Sequence, residues 1–317
     1  MPATATIHPF PVGPATPFPA HRSVDLPAPQ PVKLRNIALD CFFYDVAGLT
    51  GAEIRALVRE THSEGAVLVV YPRGAKGDMG VVKHADYHRL RAAPGALLNR
   101  FAIAGVGSSD LGAAALARTL ADHCGAPVGA IVAGYGVTDV VAEALGGWFV
   151  LGAANRLRRF LALFDARLGD ALDRLGTSTP LDRERAARAG WHVGASPDTE
   201  TLLHLLLDED REIVTLLGHS KGCLSIAAAL HALGEFTAPA AHEKARRLQV
   251  VTAGAVVSLP GDNANNAAQY LGTLDGLGLA NSRPWLPRTW VPGAGHPVNT
   301  LLPLHLDLAA ALRRAGG

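Results

Sequence analysis

Cysteine, aromatic residues, charge and long apolar runs are all scarce in this chain of 317 residues. Its three cysteines, Cys41, Cys124 and Cys223, are odd in number and far apart, so they form neither a disulfide framework nor a CxxC zinc pattern. A reducing, cytoplasmic setting is therefore expected. The 29 Lys and Arg residues nearly cancel the 28 Asp and Glu residues, which leaves no basic field for nucleic acid. No uncharged apolar run of about 18 residues exists, so no transmembrane helix is expected. The most apolar stretch, 137–154, carries Asp139 and Glu143. The opening Met-Pro-Ala-Thr-Ala-Thr has neither the basic nor the apolar region of a signal peptide.

What the chain does have is apolar residues, at 49%, together with 34 glycines and 21 prolines. That composition supports a sizeable core and excludes a disordered chain. Nine of the prolines precede residue 32. Such a segment cannot pair in a sheet, so residues 1–31 read as a loose tail and 32–317 as the folded domain.

From there strand and helix patterns alternate. The mixture of β-branched and aromatic residues in 34–44 predicts a strand. Thr50 can cap a helix through Glu53, Ile54, Leu57 and Val58. Segments 66–71, 101–105, 127–133 and 213–217 are short apolar runs typical of strands buried on both faces, and 248–257, 269–274 and 288–291 add three more. Helices are expected over 111–123 with Gly125 as its cap, over 224–233, and over 304–314. The alternation implies an α/β fold, a mostly parallel central sheet with helices on both faces. One stretch breaks it. From about 137 to 195 only helical patterns occur, an insert between the strands near 128–133 and 213–217, and Ser196-Pro197-Asp198 restarts the alternation as a helix N-terminus.

The sharpest motif is Gly218-His219-Ser220-Lys221-Gly222, a G-x-S-x-G between a strand pattern and a helix pattern. A nucleophile held on so sharp a turn needs small neighbours, and the helix N-terminus favours negative charge at the hydroxyl. Together with Ala104-Gly105-Val106-Gly107 after the 101–105 strand, this arrangement resembles the α/β-hydrolase superfamily, over about residues 95–136 and 200–300. Where that family usually has His-Gly, this chain has Ala104-Gly105.

The resemblance implies a nucleophile, Ser220, followed in the chain by an acid and a histidine. It also implies an oxyanion hole formed by the N–H groups of Val106 or Gly107 and of Lys221. Asp275 and Asp262 both follow strand patterns; Asp275, opening a glycine-rich loop just past a strand end, is the better placed. His296, in the small-residue loop after the last strand pattern, is the expected base. His305 lies among leucines and suits packing, and His219 is expected to pack below the turn. The Lys221 side chain has the ordinary alternative of reaching solvent.

Gly105-x-Gly107 also admits a dinucleotide fingerprint, but Asp110 stands where the third glycine should be, and a carboxylate there repels a pyrophosphate. His84 and His88, four apart around an expected helix, lack a third ligand, so neither a metal nor another cofactor is expected. In the insert, Trp148, Phe149 and Phe164 supply apolar surface, either as packing or as a lid over Ser220. The leading expectation is a serine hydrolase acting on a small-molecule or lipid-like carboxylic ester or thioester with an apolar acyl part. An acyltransferase or a non-catalytic binding protein on the same scaffold are the alternatives, and the oligomeric state is left open.

Overall fold

The computed structural model describes residues 30–59, 64–93, 98–133, 196–234, 236 and 238–316. The tail up to residue 29 and the whole insert, with Trp148, Phe149 and Phe164, lie outside the described residues. In chain order the elements are α1 (Gln30–Phe43), α2 (Gly51–Arg59), β1 (Val67–Val70), β2 (Val81–His84), α3 (Tyr87–Ala92), β3 (Arg100–Ile103), α4 (Asp110–Cys124) and β4 (Val128–Ile131). After the insert come α5 (Pro197–Leu207), β5 (Thr215–His219), α6 (Lys221–Leu233), α7 (Pro239–Arg246), β6 (Gln249–Ala253), α8 (Gly261–Asn265), β7 (Ala267–Gly272), α9 (Gly276–Ala280), β8 (Thr289–Val291) and α10 (Leu308–Ala315).

The strands form one eight-stranded sheet in the order β2-β1-β4-β3-β5-β6-β7-β8. Every pairing from β4 to β8 is parallel, while β1 runs antiparallel to both of its neighbours. The fold is thus α/β with a mostly parallel sheet. Side chains alternate across it. Val67, Val69, Phe101, Ile103, Leu216 and Val250 join the core beneath α3, α5, α6 and α7. Leu68, Val70, Ala102, Leu217 and Val251 join the core beneath α1, α2, α4 and α10. With helices on both faces the central strands have no wet side, which is why they read as unbroken apolar runs. Thr50 caps α2 reciprocally: Glu53 N donates to Thr50 Oγ1 at 3.2 Å, and Thr50 N donates to Glu53 Oε2 at 2.8 Å. Among the described residues no helix is long and apolar enough to cross a membrane.

Three sequence expectations are corrected. Residues 34–44 form most of a helix, α1, rather than a strand. Its fully covered positions Asn36 and Asp40, with Tyr44 just beyond its end, recur every four residues, the spacing of a helix face against α4 and not of a pleated strand. The C-terminal helix starts at Leu308 and not at 304, because the Asp307 side chain caps it by accepting from Ala310 N at 2.8 Å. His305 therefore stands before the helix. His84 belongs to β2, a short and half-exposed edge strand that carries no apolar run of its own.

Candidate active site

The turn from β5 into α6 carries Ser220 at φ 54° and ψ −119°, and among the described residues it is the one non-glycine with a positive φ. Such a backbone costs of order 1–3 kcal/mol and persists only where surroundings impose it. The surroundings are visible in the two motif glycines. A Cβ on Gly222 would lie 2.0 Å from the Ile103 carbonyl oxygen, and one on Gly218 would lie 2.8 Å from Cys223 N. The helix therefore packs against β3 and against its own turn with no room for a side chain. Ser220 N donates to the Ala253 carbonyl at 2.9 Å, which ties the turn to the end of β6.

The turn after β3 closes over the serine. Ser108 N donates to Gly105 O at 3.2 Å, with Val106 and Gly107 as the central residues and Gly107 at φ +71°. A Cβ on Gly105 would stand 3.1 Å from Ser220 Cβ and 3.6 Å from its Oγ. Gly105 is thus brought to the serine, with Val106 and Gly107 next to it in the chain, and Lys221 follows the serine as the first residue of α6. Asp110, the residue that argued against a dinucleotide, is buried at the start of α4 with Lys83 Nζ at 2.6 Å.

His296 is brought to the same place. Its Nδ1 donates to both oxygens of Asp275, at 2.8 and 2.9 Å, and both side chains are buried. That pairing fixes the tautomer and leaves Nε2 to exchange a proton. Asp275 is itself held by Gly278 N, which donates to its Oδ1 at 2.6 Å at the start of α9. Asp262 is elsewhere: it is exposed, with Arg246 Nε at 3.3 Å. Of the two acids the sequence left open, the fold puts Asp275 on the imidazole.

No family model, no curated protein and no solved structure matches this chain.

The site also holds Tyr44 and Phe43, which sequence reasoning placed in a strand and gave no role. His219 is buried and hydrogen-bonds at both ends of its ring, with Tyr44 Oη at Nδ1 (3.1 Å) and the His296 carbonyl at Nε2 (3.0 Å). Burial, reinforced by the positive charge available to His296, pushes its pKa down to about 3, so the ring is neutral at ordinary pH. Tyr44 Oη in turn accepts from Gly105 N at 2.6 Å. No apolar period in the sequence marks Tyr44, because the buried positions before it at that spacing, Asn36 and Asp40, are polar. Phe43 sets its ring edge-on to His296, centroids 5.6 Å apart. The Lys221 side chain does not reach solvent. It is buried, with Nζ 3.8 Å from Asp198 Oδ1 at the start of α5 and donating to the Ala133 carbonyl at 3.5 Å, while Ser225 Oγ holds the other Asp198 oxygen at 2.7 Å. This link joins the Ser220 turn to Ala133 and Asp198, in the described segments on either side of the insert.

Proposed function

We propose that the chain is a serine hydrolase of the α/β-hydrolase kind, cleaving a carboxylic ester or thioester with an apolar acyl part. The observation that carries the reading is the strained Ser220 backbone at a strand-to-helix turn, beside a buried His296–Asp275 pair. Neither feature is needed to hold a core together, and their coincidence is what an activated hydroxyl requires.

In this reading Ser220 Oγ attacks the acyl carbonyl and His296 Nε2 takes its proton. Asp275 stabilises the imidazolium so formed without being protonated itself. The N–H groups of Val106 or Gly107 and of Lys221 receive the negative oxygen of the tetrahedral intermediate. Collapse breaks the ester C–O or thioester C–S bond, and the His296 proton leaves with the alcohol or thiol. Water, deprotonated by His296, then releases the acid from Ser220. The apolar acyl preference is supported by Phe43 on His296 and by exposed Phe42, Leu274 and Leu301 on the segments that bond to the His296 loop. A cytoplasmic setting belongs to the same reading, since Cys41, Cys124 and Cys223 are all unpaired thiols.

The test is labelling with a fluorophosphonate probe, followed by mass mapping of the adduct. The wild-type chain should label at Ser220, and a folded Ser220→Ala variant should not. Labelling that survives the substitution at full extent removes Ser220 as the nucleophile. A series of p-nitrophenyl esters tests the acyl class: kcat/KM should rise from acetate to longer chains, by up to about fourfold per methylene. A preference for acetate would point to a small polar acyl group.

A further inference from the structure

A continuous path of hydrogen bonds runs beneath the proposed nucleophile, from the turn after β3 to the loop that carries His296. Gly105 N donates to Tyr44 Oη at 2.6 Å, Tyr44 Oη meets His219 Nδ1 at 3.1 Å, and His219 Nε2 meets the His296 carbonyl at 3.0 Å. Only one arrangement of protons satisfies every link. The His296 carbonyl can only accept, so His219 Nε2 must carry hydrogen. A neutral His219 then presents a bare Nδ1, and the Tyr44 hydroxyl must donate to it, which leaves its oxygen to accept from Gly105. All three side chains are buried, so no water competes for these groups. The rings are held sideways as well: Tyr44 and His219 meet edge-to-face with centroids 5.3 Å apart, and His219 and His296 lie 4.8 Å apart.

The path has a consequence for the site. It consumes the N–H of Gly105, so that residue is anchored and cannot itself serve a substrate oxygen. The next two residues, Val106 and Gly107, are thereby set at a fixed height against Ser220. The far end fixes the backbone of the proposed base. We propose that Tyr44 and His219 are positioning residues that hold the oxyanion turn and the His296 loop at a constant separation across Ser220. The inference rests on the hydrolase reading above and deepens it.

The experiment measures kcat, KM and the Ki of an alkylboronic acid for wild type, Tyr44→Phe, His219→Ala and His219→Gln, with near-ultraviolet circular dichroism as the check of fold. Tyr44→Phe keeps the ring and deletes one hydroxyl, leaving Gly105 N and His219 Nδ1 without a partner. Its kcat should fall about ten- to a hundredfold and the boronate Ki should rise in parallel, with KM within about twofold, because ground-state binding does not use the oxyanion site. His219→Gln retains an amide donor near the place of Nε2 and should recover most of the kcat that His219→Ala loses. A purely structural contribution would lower melting temperature and leave the Ki of folded enzyme unchanged. Unchanged kcat and Ki in folded Tyr44→Phe, or loss of fold in every variant, overturns the proposal. If wild type neither hydrolyses esters nor labels with the phosphonate, the hydrolase reading fails first and the positioning claim falls with it. Labelling in wild type with equal rates in the variants sinks the positioning claim alone.

Discussion

The imidazole of His296 lies against the backbone of Gly254, in the space that a side chain there would need. A Cβ on Gly254 would stand 3.0 Å from His296 Cε1, 3.1 Å from its Nδ1 and 3.2 Å from His219 Nε2. Gly254 has φ +72° and follows directly on Ala253, whose carbonyl accepts from Ser220 N. One dipeptide at the end of β6 thus abuts both the serine turn and the histidine ring, and glycine is required by conformation and by space together.

Gly254→Ala should therefore do two things. The left-handed backbone costs a Cβ-bearing residue roughly 1–2 kcal/mol, so the melting temperature should drop by several degrees. The crowded His296 ring should also move, lowering kcat on the order of 10- to 100-fold. Thermal melts and ester kinetics on the same sample check both. A variant that melts early and yet turns over like wild type would show that His296 does not depend on this contact.

The two acids should separate cleanly. Asp275→Asn keeps the shape but supports the wrong imidazole tautomer, and kcat should fall about 10³- to 10⁴-fold. Asp262→Asn removes an exposed partner of Arg246 and should leave kcat within about twofold. Steady-state kinetics of the pair decide, and the reverse ranking would move the orienting acid away from Asp275.

Ser220→Gly should stabilise the fold while abolishing probe labelling. Glycine adopts the backbone that serine is forced into at φ 54°, and relief of that strain, less the entropy glycine adds to the unfolded chain, leaves a gain of up to about 1 kcal/mol. Denaturant unfolding at matched conditions measures it. A melting temperature below that of Ser220→Ala would mean that the turn is not strained.

Asp40 offers a pH test read from stability and not from turnover. It is buried beneath α4, where its Oδ2 accepts from Ser109 N at 2.9 Å and from Ser109 Oγ at 2.5 Å. Burial outweighs these bonds and raises its pKa to about 7. The folded protein then holds a proton that the unfolded chain has released above its ordinary 3.8. The stabilising contribution is complete below that value, is lost progressively as pH rises towards about 7, and is absent above it. Asp40→Asn removes the titration, so its stability relative to wild type should increase from pH 4 to pH 7 and then level off. A difference that is flat across this range would show that Asp40 stays ionised.

Local constraints were legible in the sequence because they act over a few residues. The apolar runs fixed which segments become buried strands, and Gly218 and Gly222 marked a turn where backbone meets backbone. Segment 34–44 misled because its β-branched and aromatic content resembles a strand while its burial has the period of a helix. What chain order left open was decided by tertiary packing. Asp275 and not Asp262 meets His296, because the loop after β7 bonds to the loop after β8, with Leu274 N donating to the Ala294 carbonyl at 2.9 Å. Tyr44 meets His219 across 175 residues of sequence, and Lys221 at the start of α6 meets Asp198 at the start of α5. These are long-range pairings between polar groups with no periodicity of their own. Each exists because burial removes water and leaves the group one partner within reach, and which partner that is depends on how the layers stack on the sheet.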